Sequence, residues 1–519
     1  MAPAVGIVSH RRSARVLLAI LPGLLSCSSS SPSASNAGQS RPDASMEGGT
    51  VGSTLVVTGP ITGGIMGKPF TTAAVDLAAA GYVEEEYFIE SDATAYAWVT
   101  PPGMDGQWSV KPASTAHYKT RMLVRRPTDA TRFNGTVVVE WLNVSGGVDA
   151  DPDFAFAHVE LLRDGFAYVG VSAQAEGVVG GGFSLVPGQA VPLVKWDPQR
   201  YGSLKHPGDA YSYDIFSQAT RALRSPGASV HPLGALQPAR FLATGESQSA
   251  FRMVTYTDAI QPIDKLFDGI FIHSRAAGGA PLTVSDNAGS TAGLTGGPAV
   301  ALIRGDLGVP VFQFLTETDV LGLAAGIAGF SSARQPDTDH LRSWEVAGTS
   351  HADAYLLSAS AAPAGTEPDA GADAGANLGC TGINAGPQHW VLDGAFAAVQ
   401  AWLKSGTAPA HGDPLVLADA GSGLAKDAVG NTLGGVRTAA VDVPIAVYSG
   451  QSAAASIVCS LFGSTVPLPP DKLMSLYPTH DDYVAKVMAA TTMAQQAGFL
   501  VAADVPLIVQ EAQSAPVPN

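Results

Sequence analysis

The sequence predicts an α/β chain: a mostly parallel central sheet covered on both faces by helices. Three observations carry that expectation. Short continuous apolar runs alternate with stretches of helical spacing, the pattern of strands buried on both faces and joined by crossover helices. Apolar residues make up 46% of the 519, enough to bury a large core. Charged residues are only 14%, well below the roughly 25% of an average domain, which argues against a disordered or coiled-coil chain.

The first segment reads as an address rather than fold. His10-Arg11-Arg12 and Arg15 precede the apolar VLLAILPGLL, Val16 to Leu25, too short to span a bilayer comfortably and suited to a signal peptide. Leu24-Leu25-Ser26-Cys27 then resembles a bacterial lipoprotein processing site, with ordinary secretory cleavage as the alternative. Residues 1–27 are therefore read as a lipoprotein-type leader. Residues 28–52, which open SSSSPSASNAGQS, are read as a disordered Ser/Pro-rich tether. Residues 53–519 are expected to form one catalytic domain. The Ala/Gly/Asp-rich stretch 358–379 is expected to be a loop insertion within it. The protein should thus be exported, either anchored to a membrane through a lipid on Cys27 or secreted. Beyond the leader, Cys380 and Cys459 remain, and an oxidising compartment would allow a disulfide or leave two thiols.

Within the domain, TVVVEWLNV (136–144), FAYVGVSAQ, RFLATGES, DGIFIHSR, VPVFQFLTETD and RSWEVAGTSH are predicted strands. PDFAFAHVELLRDG, YSYDIFSQATRALRS and FRMVTYTDAI are predicted helices between them. Toward the C-terminus, DGAFAAVQAWLKSG and DYVAKVMAATTMAQQAGFL read as further helices, and GGVRTAAVDVPIAVYSG as added strand. In sheets of this kind reactive residues gather where strands end at their carboxyl side.

Three residues sit at such ends. Ser247 lies in Gly245-Glu246-Ser247-Gln248-Ser249, between a strand and a helix. A strand-turn-helix of small residues can lift a serine hydroxyl clear of the backbone. Ser249 stands where a glycine is more usual. A hydroxyl attacks only when a base takes its proton, and that base is commonly an imidazole oriented by a carboxylate. His351, after RSWEVAGTS, is the candidate base. Asp319 is the preferred acid, with Glu317 two residues away as the alternative. The order serine, acid, histidine fits this reading. An oxyanion would need two N–H donors: Gln248 at the start of the following helix, and the loop after the first strand, where Asn143, Val144 and Ser145 lie. Gly146-Gly147 there either lets a ligand approach or forms a plain turn. His273 either lines the crevice or packs beneath it, and His158 and His206 carry no functional expectation.

A formal charge of −16 leaves no basic stripe, so nucleic acid is not an expected partner. No His/Cys/Asp/Glu cluster has metal-ligand spacing, and no phosphate loop or dinucleotide fingerprint follows a strand. The expected chemistry needs no metal and no cofactor.

GESQSA, FQFLTETDV, WEVAGTSHAD, GGVRTAAVDVP and CSLFGSTVPL together resemble the α/β-hydrolase superfamily, and within it a bacterial branch called simply the alpha/beta hydrolase domain family. The resemblance implies an α/β-hydrolase fold with N- and C-terminal elaborations. It also implies a serine hydrolase of carboxylic esters, with Ser247, His351 and an acid at Asp319 or Glu317. The expected partner is a small-molecule or lipid-like ester, and the only expected membrane contact is the Cys27 anchor. Two other readings use the same residues: an acyltransferase, and a non-catalytic surface binding protein on a hydrolase scaffold.

Overall fold

The computed structural model describes residues 54–517, apart from 182–183, 186–189, 226–228, 284–296, 324–325, 362–374, 420–422 and 454–455. The leader, the tether and most of the 358–379 insertion lie outside the described residues. In chain order the strands are β1 (Val56–Thr58), β2 (Tyr82–Trp98), β3 (Val110–Pro127), β4 (Thr136–Trp141), β5 (Ala167–Val171), β6 (Arg240–Glu246) and β7 (Gly269–His273). They continue with β8 (Val311–Thr316), β9 (Gly322–Leu323), β10 (Ile327–Ala328), β11 (Leu341–Val346), β12 (Ala446–Ser449) and β13 (Ser464–Pro467).

One sheet runs in the order β1-β2-β3-β5-β4-β6-β7-β8-β11. From β5 to β11 all neighbours are parallel, and β1, β2, β3 and β5 pair antiparallel. The parallel strands match the predicted ones, and the sequence shows why. β4, TVVVEW, is buried at every position, as a strand covered on both faces must be. Alternate side chains serve opposite layers. Val137 and Val139 pack in the cluster holding Phe216 and Met253, from helices Ser212–Arg224 and Gln248–Thr255. Val138 packs in the cluster holding Phe156 and Phe396, from helices Pro152–Arg163 and Gln388–Ser405.

The antiparallel β2 and β3 are the main element the sequence reading did not anticipate. They are 17 and 18 residues long, yet their inward positions carry charge. Arg121 donates to Glu86 at 3.0 Å and Asp149 at 3.2 Å. Arg125 donates to Glu84 at 2.9 Å and also to Asp151. Both arginines are fully buried. Such pairs interrupt the apolar alternation that would signal a strand, and they tie β3 to the segment just after β4.

The C-terminal elaboration follows β11. Residues of helix His480–Gln496 pack with Ala439, Val443, Leu473 and Tyr477 in a separate small core, beside the antiparallel β12–β13 pair. Cys380 and Cys459 form a disulfide.

Removing one partner of a buried, hydrogen-bonded ion pair strands the other charge, typically at a cost of about 3–5 kcal/mol. Arg121→Ala should therefore lower stability by about that amount in urea unfolding, because Asp149 loses its guanidinium partner while Glu86 keeps Arg200.

Candidate active site

Ser247 stands between β6 and the helix Gln248–Thr255 with φ 58° and ψ −119°, a backbone conformation non-glycine residues rarely adopt. The surroundings fix it there. Its N–H donates to the His273 carbonyl at 3.0 Å, and its carbonyl accepts from Ala250 at 2.9 Å. Gly245 is required by packing: a Cβ there would lie 2.9 Å from Met253 Cγ and 3.1 Å from Ser249 Cβ. Ser249 fits in place of the usual glycine. It is buried, and its hydroxyl donates to the Leu142 carbonyl at 3.3 Å. Ser247 itself keeps partial exposure.

The Ser247 hydroxyl donates to His351 Nε2 at 2.6 Å, and His351 Nδ1 donates to Asp319 Oδ1 at 2.6 Å. The second oxygen of Asp319 accepts from Thr316 N at 2.8 Å and Thr316 Oγ1 at 2.7 Å, which locks the carboxylate at the end of β8. The loop after β11 is held from below, where His351 N donates to Thr318 Oγ1 at 3.2 Å. On its other side Ala352 N donates to Leu461 O at 3.0 Å.

Glu317 takes a different place. It accepts from Gly348 N at 2.7 Å and Gly450 N at 3.0 Å, with Lys426 Nζ at 3.5 Å. It buckles two loops together and does not touch the imidazole. Of the two acids, the structure brings only Asp319 to His351.

The oxyanion expectation needs one correction. The Asn143 N–H is spent on the Ala150 carbonyl at 2.8 Å, and its side-chain amide donates to the Glu246 carbonyl at 3.0 Å and to Glu246 Oε2 at 3.1 Å. Ser145 N is likewise occupied, by Asn143 Oδ1 at 2.8 Å. The N–H groups of Gln248 and Val144 have no acceptor among the described residues. Gly147 makes a turn, with φ 73° and its N–H on the Val144 carbonyl at 2.9 Å. A Cβ there would meet Ala190 at 2.7 Å. His273 is fully buried: its Nδ1 donates to Asp153 at 2.7 Å and its Nε2 accepts from Gln388 at 3.3 Å. It packs beneath the site and does not line it.

Charge at the site follows from burial and neighbours. Burial pulls the His351 imidazole down, but the Asp319 charge and hydrogen bond, with Glu246 beside them, hold it above its ordinary value. Burial pushes Glu246 up to about 7, against the pull of His351 and His273. In the sequence Glu246 reads only as the variable residue before the serine, and nothing local marks it as part of the site.

Together the sheet, the crossover helices and the strand-to-helix serine define an α/β-hydrolase fold. The chain belongs to the alpha/beta hydrolase domain family, whose model matches residues 57–510, and with that family goes the general class of hydrolase. No curated protein matches the sequence. Among solved structures the chain is similar to a glucuronoyl esterase from Solibacter usitatus (11% identity, 59% of this chain and 83% of that one, TM-score 0.26). It is also similar to an alpha-beta serine hydrolase homologue from Coxiella burnetii (11%, 49% and 88%, 0.24). A third is a serine hydrolase without lid from Xanthomonas campestris (12%, 49% and 83%, 0.23). Likenesses at this level carry no functional weight.

The Cys380–Cys459 bridge closes a separation of 79 residues and packs with Ala352 and Ala354, next to His351. Disulfides typically contribute roughly 2–4 kcal/mol. Cys380→Ala should lose about that much in chemical unfolding, and a reductant should reproduce the loss in the unmutated protein.

Proposed function

We propose that the protein hydrolyses carboxylic esters through an acyl-enzyme, with Ser247 as nucleophile, His351 as base and then acid, and Asp319 as the group that orients the imidazole. The observation that carries this is the unbroken chain of two 2.6 Å hydrogen bonds from Ser247 to His351 to Asp319, with the serine its partly exposed end. As Ser247 Oγ attacks the ester carbon, its proton passes to His351 Nε2. The carbonyl oxygen becomes an anion that the N–H groups of Gln248 and Val144 are free to receive. The C–O bond to the alcohol then breaks, and the leaving oxygen takes the proton from His351. Water, deprotonated by the same imidazole, releases the acid and restores the serine. The acid of choice is Asp319 rather than Glu317, whose two oxygens are committed to Gly348 and Gly450.

The substrate we propose is a small or lipid-like ester. The location we propose is outside the cytoplasm, held by a lipid on Cys27. That second reading rests on the charged leader, the apolar segment and Leu24-Leu25-Ser26-Cys27. Labelled palmitate should enter the full chain in a bacterial host and fail to enter Cys27→Ala; equal incorporation in both would remove the anchor.

Ser247→Ala should remain folded, lose cleavage of p-nitrophenyl esters and refuse a fluorophosphonate label. Unchanged turnover would exclude this serine. Asp319→Asn should cut kcat by about 10⁴, whereas Glu317→Gln should chiefly cost stability. Because His351 must be neutral to accept a proton and sits above its ordinary 6.5, kcat/KM should fall as pH drops through a midpoint above that value.

A further inference from the structure

Glu246 precedes the proposed nucleophile, is buried, and places Oε1 3.6 Å from His351 Nε2. That nitrogen is the one that faces Ser247. The imidazole therefore has a carboxylate at each end: Asp319 bonded to Nδ1, and Glu246 near Nε2. At 3.6 Å the second contact is longer than a hydrogen bond and acts through charge.

The carboxylate is held in that position. Asn143 Nδ2 donates to both Glu246 Oε2 and the Glu246 carbonyl. Asn143 is fixed in turn by its paired bonds with Ala150 and by Ser145 N on its Oδ1. A buried carboxylate with no cation bonded to it is costly unless a charge develops nearby to meet it. The charge that develops here is the imidazolium formed when His351 takes the serine proton.

Resting on the serine-hydrolase reading above, we propose that Glu246 is a positioning residue that stabilises the protonated form of His351, with Asn143 as the clamp that aims it. The ionisable groups facing Glu246 are His351, His273, Asp153 and Asp319. Asp153 is bonded to His273, and His273 in turn faces Asp353. Burial lifts Glu246 to about 7, and the charges of Asp319 and Glu246 hold His351 above its ordinary value. The pair therefore titrates together, with midpoints that belong to both groups.

The same interaction has two consequences. A carboxylate near Nε2 keeps the resting imidazole protonated to higher pH, and it also lowers the barrier to forming the imidazolium. Neutralising it should shift both by a similar factor. An opposite charge at this range typically moves a pKa by about one unit or more, and one unit corresponds to about tenfold in rate.

The test is Glu246→Gln, which can still accept from Asn143, followed by NMR titration of histidine-labelled protein beside steady-state kinetics. The His351 midpoint should fall by about one pH unit. The acid limb of kcat/KM should move down with it, and kcat on the alkaline plateau should drop about tenfold with KM unchanged. Glu246→Asp should restore part of both effects and guards against a folding artefact in the amide variant. A His351 midpoint that does not move, or one that moves while kcat stays constant, overturns the proposal. Fluorophosphonate labelling of unmutated Ser247 separates the two ideas. Failure to label removes the esterase reading, while the NMR midpoint still reports on Glu246.

Discussion

Two hydrogen bonds of 2.6 Å, from Ser247 to His351 and from His351 to Asp319, join residues 104 and 32 positions apart in the chain. Sub-ångström placement across such separations cannot come from loops alone. It comes from one parallel run, β6-β7-β8-β11, whose strands end together: β6 supplies the serine, β8 the acid and β11 the loop with the histidine. The parallel registers of β6 with β7, β7 with β8, and β8 with β11 make that alignment a property of the sheet. The strained φ of Ser247 is held by its bond to His273 at the end of β7, so the same sheet that gathers the residues also holds the strain.

Much of this is visible in the sequence, for physical reasons that apply element by element. Strands such as TVVVEW and VFQFLT are buried on both faces and so read as continuous apolar runs. Gly245 and the small residues after it mark a backbone that must turn sharply, which drew attention to Ser247. What could not be read is as instructive. β2 and β3 place Glu84, Glu86, Arg121 and Arg125 inside, and paired charges look like a solvated surface until their partners are known. Asp319 and Glu317 differ by two positions. Only the turn at Thr316, which accepts and donates with Asp319, decides which carboxylate faces the imidazole. Asn143 looked like a backbone donor because it follows a strand. Its partners, Ala150 and Glu246, are visible only in three dimensions.

The polar groups beneath the site form a continuous set rather than isolated pairs. Glu140 of β4 accepts from the N–H groups of Asp153 and Phe154 at the start of a helix. Asp153 then holds His273 and accepts from Thr244. His273 holds the Ser247 backbone. Each group is satisfied by the next, which is the condition under which a buried polar network rigidifies a site instead of weakening it. The carboxylates nearest the imidazole are fixed separately, Asp319 by Thr316 and Glu246 by Asn143.

The central claim is covalent, and mass spectrometry of a rapidly quenched reaction tests it most directly. Protein mixed with an activated ester and acidified within the first turnover should gain the mass of one acyl group. Peptide mapping should place that group on Ser247, within the segment that begins at Arg240. An acyl group on another residue, or turnover with no acylated protein at any quench time, would contradict it.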